Sequence, residues 1–413
     1  MKSFTLKRIL PVYLVLVLLD LNEFVSGLLG QRGVLSIAIL CTSIFLIIIS
    51  KPKIKSAKSF HSFFIFFFIG YLILGSLATI LENNAINIWP NFRYYMPSLI
   101  IYYATYRTIL SIDREVEIFK VLRTVSMLIS LNAILIIISI FFGIDFHVSL
   151  EEKGIDRAVG LYSNANRAGY VAVIGQLITL VLLVSGQVLK RWLFQCMYLI
   201  CLAAAVSTFS KGSIILSLLI LLFFIFLGKK NSHSQFSFNK RINIRRILLI
   251  LVVIVPFSMP YIYYNLSIEQ ATRINQVGQM LSGTFNNETT TDRLTLVHFA
   301  LSEIKDNFFL GAGLGEFKKM SIGLGTHNTY LLILGESGVI AIILYLRFLL
   351  FWLHNSLRMI KDSNPLEVAS LGMAIIFAFV GFASHTLLVN KSFVVVLGII
   401  FAAVRINRHA RAR

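Results

Sequence analysis

The stretch Thr326-His327-Asn328-Thr329-Tyr330-Leu331-Leu332-Ile333-Leu334 marks where a polar segment, residues 265–326, gives way again to apolar sequence. On both sides of that segment the chain is apolar almost without interruption, and near its middle stand Asp292-Arg293-Leu294. One long polar segment closed by a histidine at the return to apolar sequence points to chemistry at a membrane surface. The flanks decide the fold class. With 57% hydrophobic against 14% charged residues and a mean hydropathy of +0.80, the chain has membrane composition, not that of a soluble domain.

Crossing the hydrocarbon core takes about 20 mostly apolar residues per helix. Runs of that kind lie at 9–29, 33–50, 61–81, 95–111, 122–142, 167–186, 192–209, 212–228, 247–265, 328–353, 366–386 and 390–406. They predict an all-α, polytopic integral membrane protein of about twelve transmembrane helices. Helices 1–9 occupy residues 1–264, an external loop with short helices occupies 265–326, and the last three helices with a basic tail occupy 327–413. The first run lacks a short apolar core followed by a small-residue cleavage site, so it reads as a retained helix. Cys41, Cys196 and Cys201 fall inside predicted spans as buried packing residues, with no spacing for zinc or a disulfide framework.

A net charge of +19 raises the question of nucleic acid, and the positions of the cations answer it. If the N-terminus is cytoplasmic, 25 of the 38 lysines and arginines fall on inner segments, so both termini lie inside and the charge requires no nucleic-acid partner.

The same topology places three polar segments on the outer face. In the first, Asp156-Arg157 precedes Gly160-Leu-Tyr-Ser-Asn164-Ala-Asn166-Arg167. Small and amide residues at this helix entry suit capping and close approach, and Arg157 and Arg167 remain as anion ligands. The second, Ser207-Thr-Phe-Ser210-Lys211-Gly212-Ser213, is a tight turn between apolar helices. Lys211 either snorkels to headgroups or faces the bundle interior, where the Ser210 hydroxyl would help it hold a phosphate.

The third is the long loop itself. Residues 267–283 form one helix in this reading. A second starts after the N-cap run Thr289-Thr-Thr-Asp292, with Leu294, Val297, Leu301 and Ile304 on one face. Arg293 then sits in a first turn, where the helix dipole also favours an anion; the alternative is a solvated arginine. Gly311-Ala-Gly313-Leu-Gly315 leads into no βαβ unit and reads as a turn between loop helices, not a nucleotide cradle. His327 is either a hydrogen-bonded boundary residue or the base that takes a proton from a sugar hydroxyl. Glu336, charged inside a span, needs a partner.

In order and spacing these elements resemble the O-antigen ligase and O-antigen polymerase superfamily, bacterial integral-membrane glycosyltransferases of the GT-C type. The likeness covers most of the chain. It is strongest from Thr291-Asp292-Arg293-Leu294, through Asn307-Phe-Phe-Leu-Gly311-Ala-Gly313, to Thr326-His327-Asn328-Thr-Tyr330-Leu and Gly335-Glu336-Ser-Gly338. The resemblance implies transfer of a glycan from undecaprenyl diphosphate to an acceptor hydroxyl at the periplasmic face of the inner membrane, with no cofactor, nucleotide sugar or metal. The acceptor would be lipid A core for a ligase, or another lipid-linked repeat unit for a polymerase. It matches His327 to the family's loop histidine and Arg293 to its diphosphate-holding arginine. Lys211 stands where ligases typically carry arginine, and a lysine lacks the bidentate fork. Ligases often show a further histidine just upstream, where this chain has Gly325-Thr326. Arg157 and Arg167 would join the diphosphate site, with Asn164, Ser210, Asn328 and Glu336 in support. The competing class is a secondary transporter or lipid flippase, but the prolines at 97, 256 and 260 mark no mirrored halves, and the polar residues gather on one face.

Overall fold

The computed structural model describes residues 2–21, 24–25, 33–52, 54, 59–82, 88–112, 115–142, 144, 146, 159–162, 164–188, 190–230, 272, 275, 287–317, 327–360 and 364–411. Among these residues there are twelve helices and no strand: α1 (Lys2–Leu18), α2 (Val34–Ile49), α3 (Phe60–Leu81), α4 (Ile88–Leu110), α5 (Glu115–Phe142), α6 (Ala165–Ser185), α7 (Arg191–Ser207), α8 (Lys211–Lys230), α9 (Asn287–Asp306), α10 (Thr329–Met359), α11 (Pro365–Ala383) and α12 (Lys391–Arg411). Six of them, α3, α5, α6, α10, α11 and α12, are long and apolar enough to cross a membrane, and α1, α2, α7 and α8 carry shorter apolar stretches. This is the make-up of a polytopic membrane protein. The expected span 247–265 lies outside the described residues, as does the expected helix 267–283 except for positions 272 and 275, which are helical.

The helices form two compact units, with boundaries inside α2 and α11. The first unit is built around α6, in which every residue from Ala168 to Val184 is buried. A helix apolar on every side is a core helix, and α5, α7 and α8 cover it. Small residues let the backbones close up, Gly175 against Ile129 and Cys201, and Gly169 against Ser213. Some of the polar groups inside pair with each other: Ser126 with Thr179 at 2.7 Å, and the Gln176 amide donating to Ser217 at 2.9 Å.

The second unit holds α3, α4, α9, α10, α12 and the end of α11. α12 lies along α4, where Arg405 donates to the Tyr106 hydroxyl at 2.7 Å. Its core is aromatic. Phe64 meets Tyr102 with ring centroids 4.5 Å apart, and Trp352 meets Phe401 edge to face at 4.8 Å.

Three sequence expectations change. Helix α9 begins at Asn287, five residues before Asp292, so Asp292 is not its cap and Arg293 lies in its second turn. An asparagine followed by Glu288 is itself a favourable helix start, and it pre-empts the later one. On the far face Ala300 and Ile304 are buried against Phe317 and Leu332, whereas Leu301 is 41% exposed. Of the cysteines only Cys201 is buried; Cys41 and Cys196 are exposed.

Candidate active site

The second unit is organised around a break in α10. At Gly338 the backbone turns to φ 72°, ψ −174°, a conformation open to glycine, and the helical hydrogen-bond ladder is interrupted. The Val339 N–H donates to the Phe308 carbonyl at 2.9 Å. The Gly335 and Glu336 carbonyls are taken up by the glycine loop, from Ala312 N–H at 2.7 Å and Gly313 N–H at 3.1 Å. These three backbone groups at the break are paired with residues 308, 312 and 313, as a buried backbone requires.

Five successive N–H groups of the loop are bonded within the protein. Besides Ala312 and Gly313, Gly311 donates to Asn307 at 2.8 Å and Leu314 to the Gly75 carbonyl at 3.2 Å and the Thr79 hydroxyl at 3.0 Å. Gly315 donates to Glu336 Oε1 at 3.0 Å. None remains for a phosphate, so the glycine run is no nucleotide cradle. It is more than a turn as well, because it docks the polar segment onto α3 and α10. Gly313 is required there: its φ is 99°, and a Cβ would lie 2.5 Å from Thr79 Oγ1.

Glu336 is fully buried and has the partners its position demands. Tyr71 and Tyr95 both donate to Oε2, the latter at 2.8 Å, opposite the Gly315 N–H on Oε1. Ser337 ties the same turn to the Tyr71 carbonyl at 2.9 Å. Nine residues before this carboxylate, His327 adopts φ 49°, a left-handed conformation uncommon for a residue with a Cβ. Asn328 caps α10, its Oδ1 accepting the N–H groups of Tyr330 at 2.9 Å and Leu331 at 3.1 Å. The capped helix start and the turned backbone set the direction of the His327 ring. It meets the ring of His385 edge to face, centroids 5.4 Å apart, while Thr329 donates to the Ser384 carbonyl next to it. Both histidines are half-exposed.

In the first unit, Asn164 caps α6, accepting from Asn166 at 2.8 Å and Arg167 at 3.4 Å. The Arg167 guanidinium pairs with buried Asp20 at 2.8 Å and lies over the Tyr162 ring at 5.6 Å. Its charge is already engaged by a carboxylate. Lys211 is the first residue of α8 and half-exposed. Beside it Ser210 is buried, its Oγ accepting the Ser213 N–H at 3.4 Å, and Ser213 Oγ donates to carbonyls of the turn. These hydroxyls hold the turn together. Arg157 lies outside the described residues, and Arg293 is placed by its helix alone. His327, Asn328 and Glu336 thus belong to the second unit, and Asn164, Arg167, Ser210 and Lys211 to the first.

Sequence reasoning passed over Asp20, Tyr71, Tyr95 and His385. Asp20 carried a signal, since an acid within an apolar run calls for a cation. His385, in Ala383-Ser384-His385-Thr386 at the end of the predicted span 366–386, had the same kind of boundary signal as His327. Among curated proteins there is no match to the chain. Residues 196–346, from α7 into α10 and including Lys211, Arg293, His327 and Glu336, match the O-Antigen ligase family (Wzy_C), within the superfamily that the outer-loop pattern resembles.

Proposed function

We propose that this chain is an inverting, metal-independent membrane glycosyltransferase that moves a glycan from undecaprenyl diphosphate to an acceptor hydroxyl at the periplasmic face, with lipid A core as acceptor. The observation that carries the reading is the fixed placement of His327, held by backbone conformation and a helix cap within the stretch that matches the ligase family.

In this reading His327 takes the proton of the acceptor hydroxyl as its oxygen attacks the anomeric carbon. The bond from that carbon to the diphosphate oxygen breaks, the configuration inverts, and undecaprenyl diphosphate leaves with the electron pair. Arg293 and Lys211 meet the charge that develops on it, joined by Arg157, while Arg167 contributes through what its pair with Asp20 leaves available. Asn328 and Glu336 act at a remove, by fixing the start and the break of α10.

The test is glycan transfer in proteoliposomes from a purified lipid-linked donor, with lipid A core and lipid-linked repeat units offered separately. Product on lipid A core, falling about a hundredfold or more in His327→Ala and about as much in Arg293→Ala, is the expected result. A ladder of longer lipid-linked chains would reassign the protein to polymerisation. Folded protein with no transfer to either acceptor would overturn the enzyme reading in favour of transport.

A further inference from the structure

Helix α10 carries a second chemical feature, far from His327 and on the opposite side of its break. We propose that the groove between α3 and α10 centred on Arg347 binds the phosphate of an anionic phospholipid. The groove, about 890 Å³, has Phe63, Leu346, Leu350 and Phe351 as walls, with Arg347 and His354 as its cations or hydrogen-bond donors. Positions 343, 346, 347, 350 and 354 share one face of α10, and that face points outward: Ile343 is 56% and Leu350 65% exposed.

Arg347 itself is exposed on this apolar face. Beyond the break, α10 runs from Val339 to Met359. At 1.5 Å per residue Arg347 lies about 12 Å from the first and about 18 Å from the last. Its guanidinium lies 6.0 Å from the centre of the Phe63 ring, which stacks on Phe351 at 4.0 Å. No carboxylate among the described residues pairs with it. A charge held in an apolar layer requires a counter-charge, and in a lipid-facing groove the bilayer supplies one.

A phospholipid fits each part. Its phosphate matches the guanidinium fork, its acyl chains match the aromatic and leucine walls, and His354, two turns further along the same face, offers a second donor towards the Arg358 end. The site is independent of the proposed glycan transfer.

The experiment is native mass spectrometry of the full chain in detergent, titrated with 1-palmitoyl-2-oleoyl phosphatidylglycerol or with phosphatidylcholine of the same chains. Wild type is expected to retain phosphatidylglycerol preferentially, and Arg347→Leu to retain it about tenfold less, the loss of a charged hydrogen-bonding group. Arg347→Lys keeps part of the preference, and His354→Ala lowers retention about twofold. Arg347→Leu removes a charge from an apolar face, so its elution and thermal midpoint should match wild type, with the lysine variant as a second reading. Equal retention by wild type and Arg347→Leu, or no preference over phosphatidylcholine, overturns the proposal. So does loss of a dimer in Arg347→Leu, which would make a second copy the occupant, or displacement of the phospholipid by lower concentrations of undecaprenyl phosphate.

Discussion

The rings of His327 and His385 meet edge to face 5.4 Å apart, although 58 positions separate them in the chain. One stands before the cap of α10 and the other in the turn between α11 and α12, so two helix ends set the angle at which an acceptor would meet the first imidazole. In the proposed reaction His385 is a positioning residue. His385→Ala is expected to lower kcat for glycan transfer about tenfold with little change in KM, less than the loss in His327→Ala, and His385→Gln to restore part of it. Transfer assays with both donor and acceptor varied measure the split; an unchanged kcat would remove His385 from the site.

The carboxylate of Glu336 accepts from Tyr71, Tyr95 and the Gly315 N–H inside the protein. Tyr95→Phe removes one donor and should cost about 1–3 kcal/mol. Glu336→Ala strands three donors at once, and its cost should exceed that of Tyr95→Phe. Thermal unfolding in detergent orders the variants, and the Tyr95→Phe change should have much less effect in a Glu336→Ala background because the partner is already gone.

Gly313→Ala places a Cβ against Thr79 and forces a residue with a side chain into φ 99°. The expected outcome is a poorly folded protein. Pairing it with Thr79→Gly removes the contact with the hydroxyl but leaves the contact with the residue 79 backbone and the strained conformation, so only part of the stability should return. Yield and thermal midpoint of the single and double variants separate the two causes.

The Asp20–Arg167 pair predicts an asymmetry. Removing one partner leaves the other charge desolvated, so Asp20→Ala should cost about 3–5 kcal/mol. The double change Asp20→Ala with Arg167→Ala should cost less than the sum of the single ones. Equal and additive losses in unfolding experiments would show that the two side chains act apart.

The parts of this fold that depend on runs were legible in the sequence. The continuous apolarity of α6, the separation of α7 from α8 at Lys211, and the return to apolar sequence at His327 are local properties, and each appears as a helix or a helix end. That the small and amide residues before α6 suit capping could be read because capping needs only near neighbours. What could not be read was pairing across distance. Tyr71 and Tyr95 reach Glu336 from 265 and 241 positions away, and a tyrosine within an apolar run looks like any interfacial aromatic. The glycine loop was read as a turn because turn chemistry is local, whereas its five engaged N–H groups are a tertiary fact. Helix α9 was started too late because two acceptable starts lie five residues apart, and propensity alone does not rank them.

The pairing of residues 311–315 with Gly75, Thr79, Gly335 and Glu336 bears on how this chain can be re-engineered. Exchanging the polar segment alone for that of another protein would sever hydrogen bonds that the incoming segment has no matching seat for. A workable graft would carry the loop together with the 75–79 stretch of α3 and the first turns of α10, so that the portable unit is this stitched assembly and not the loop.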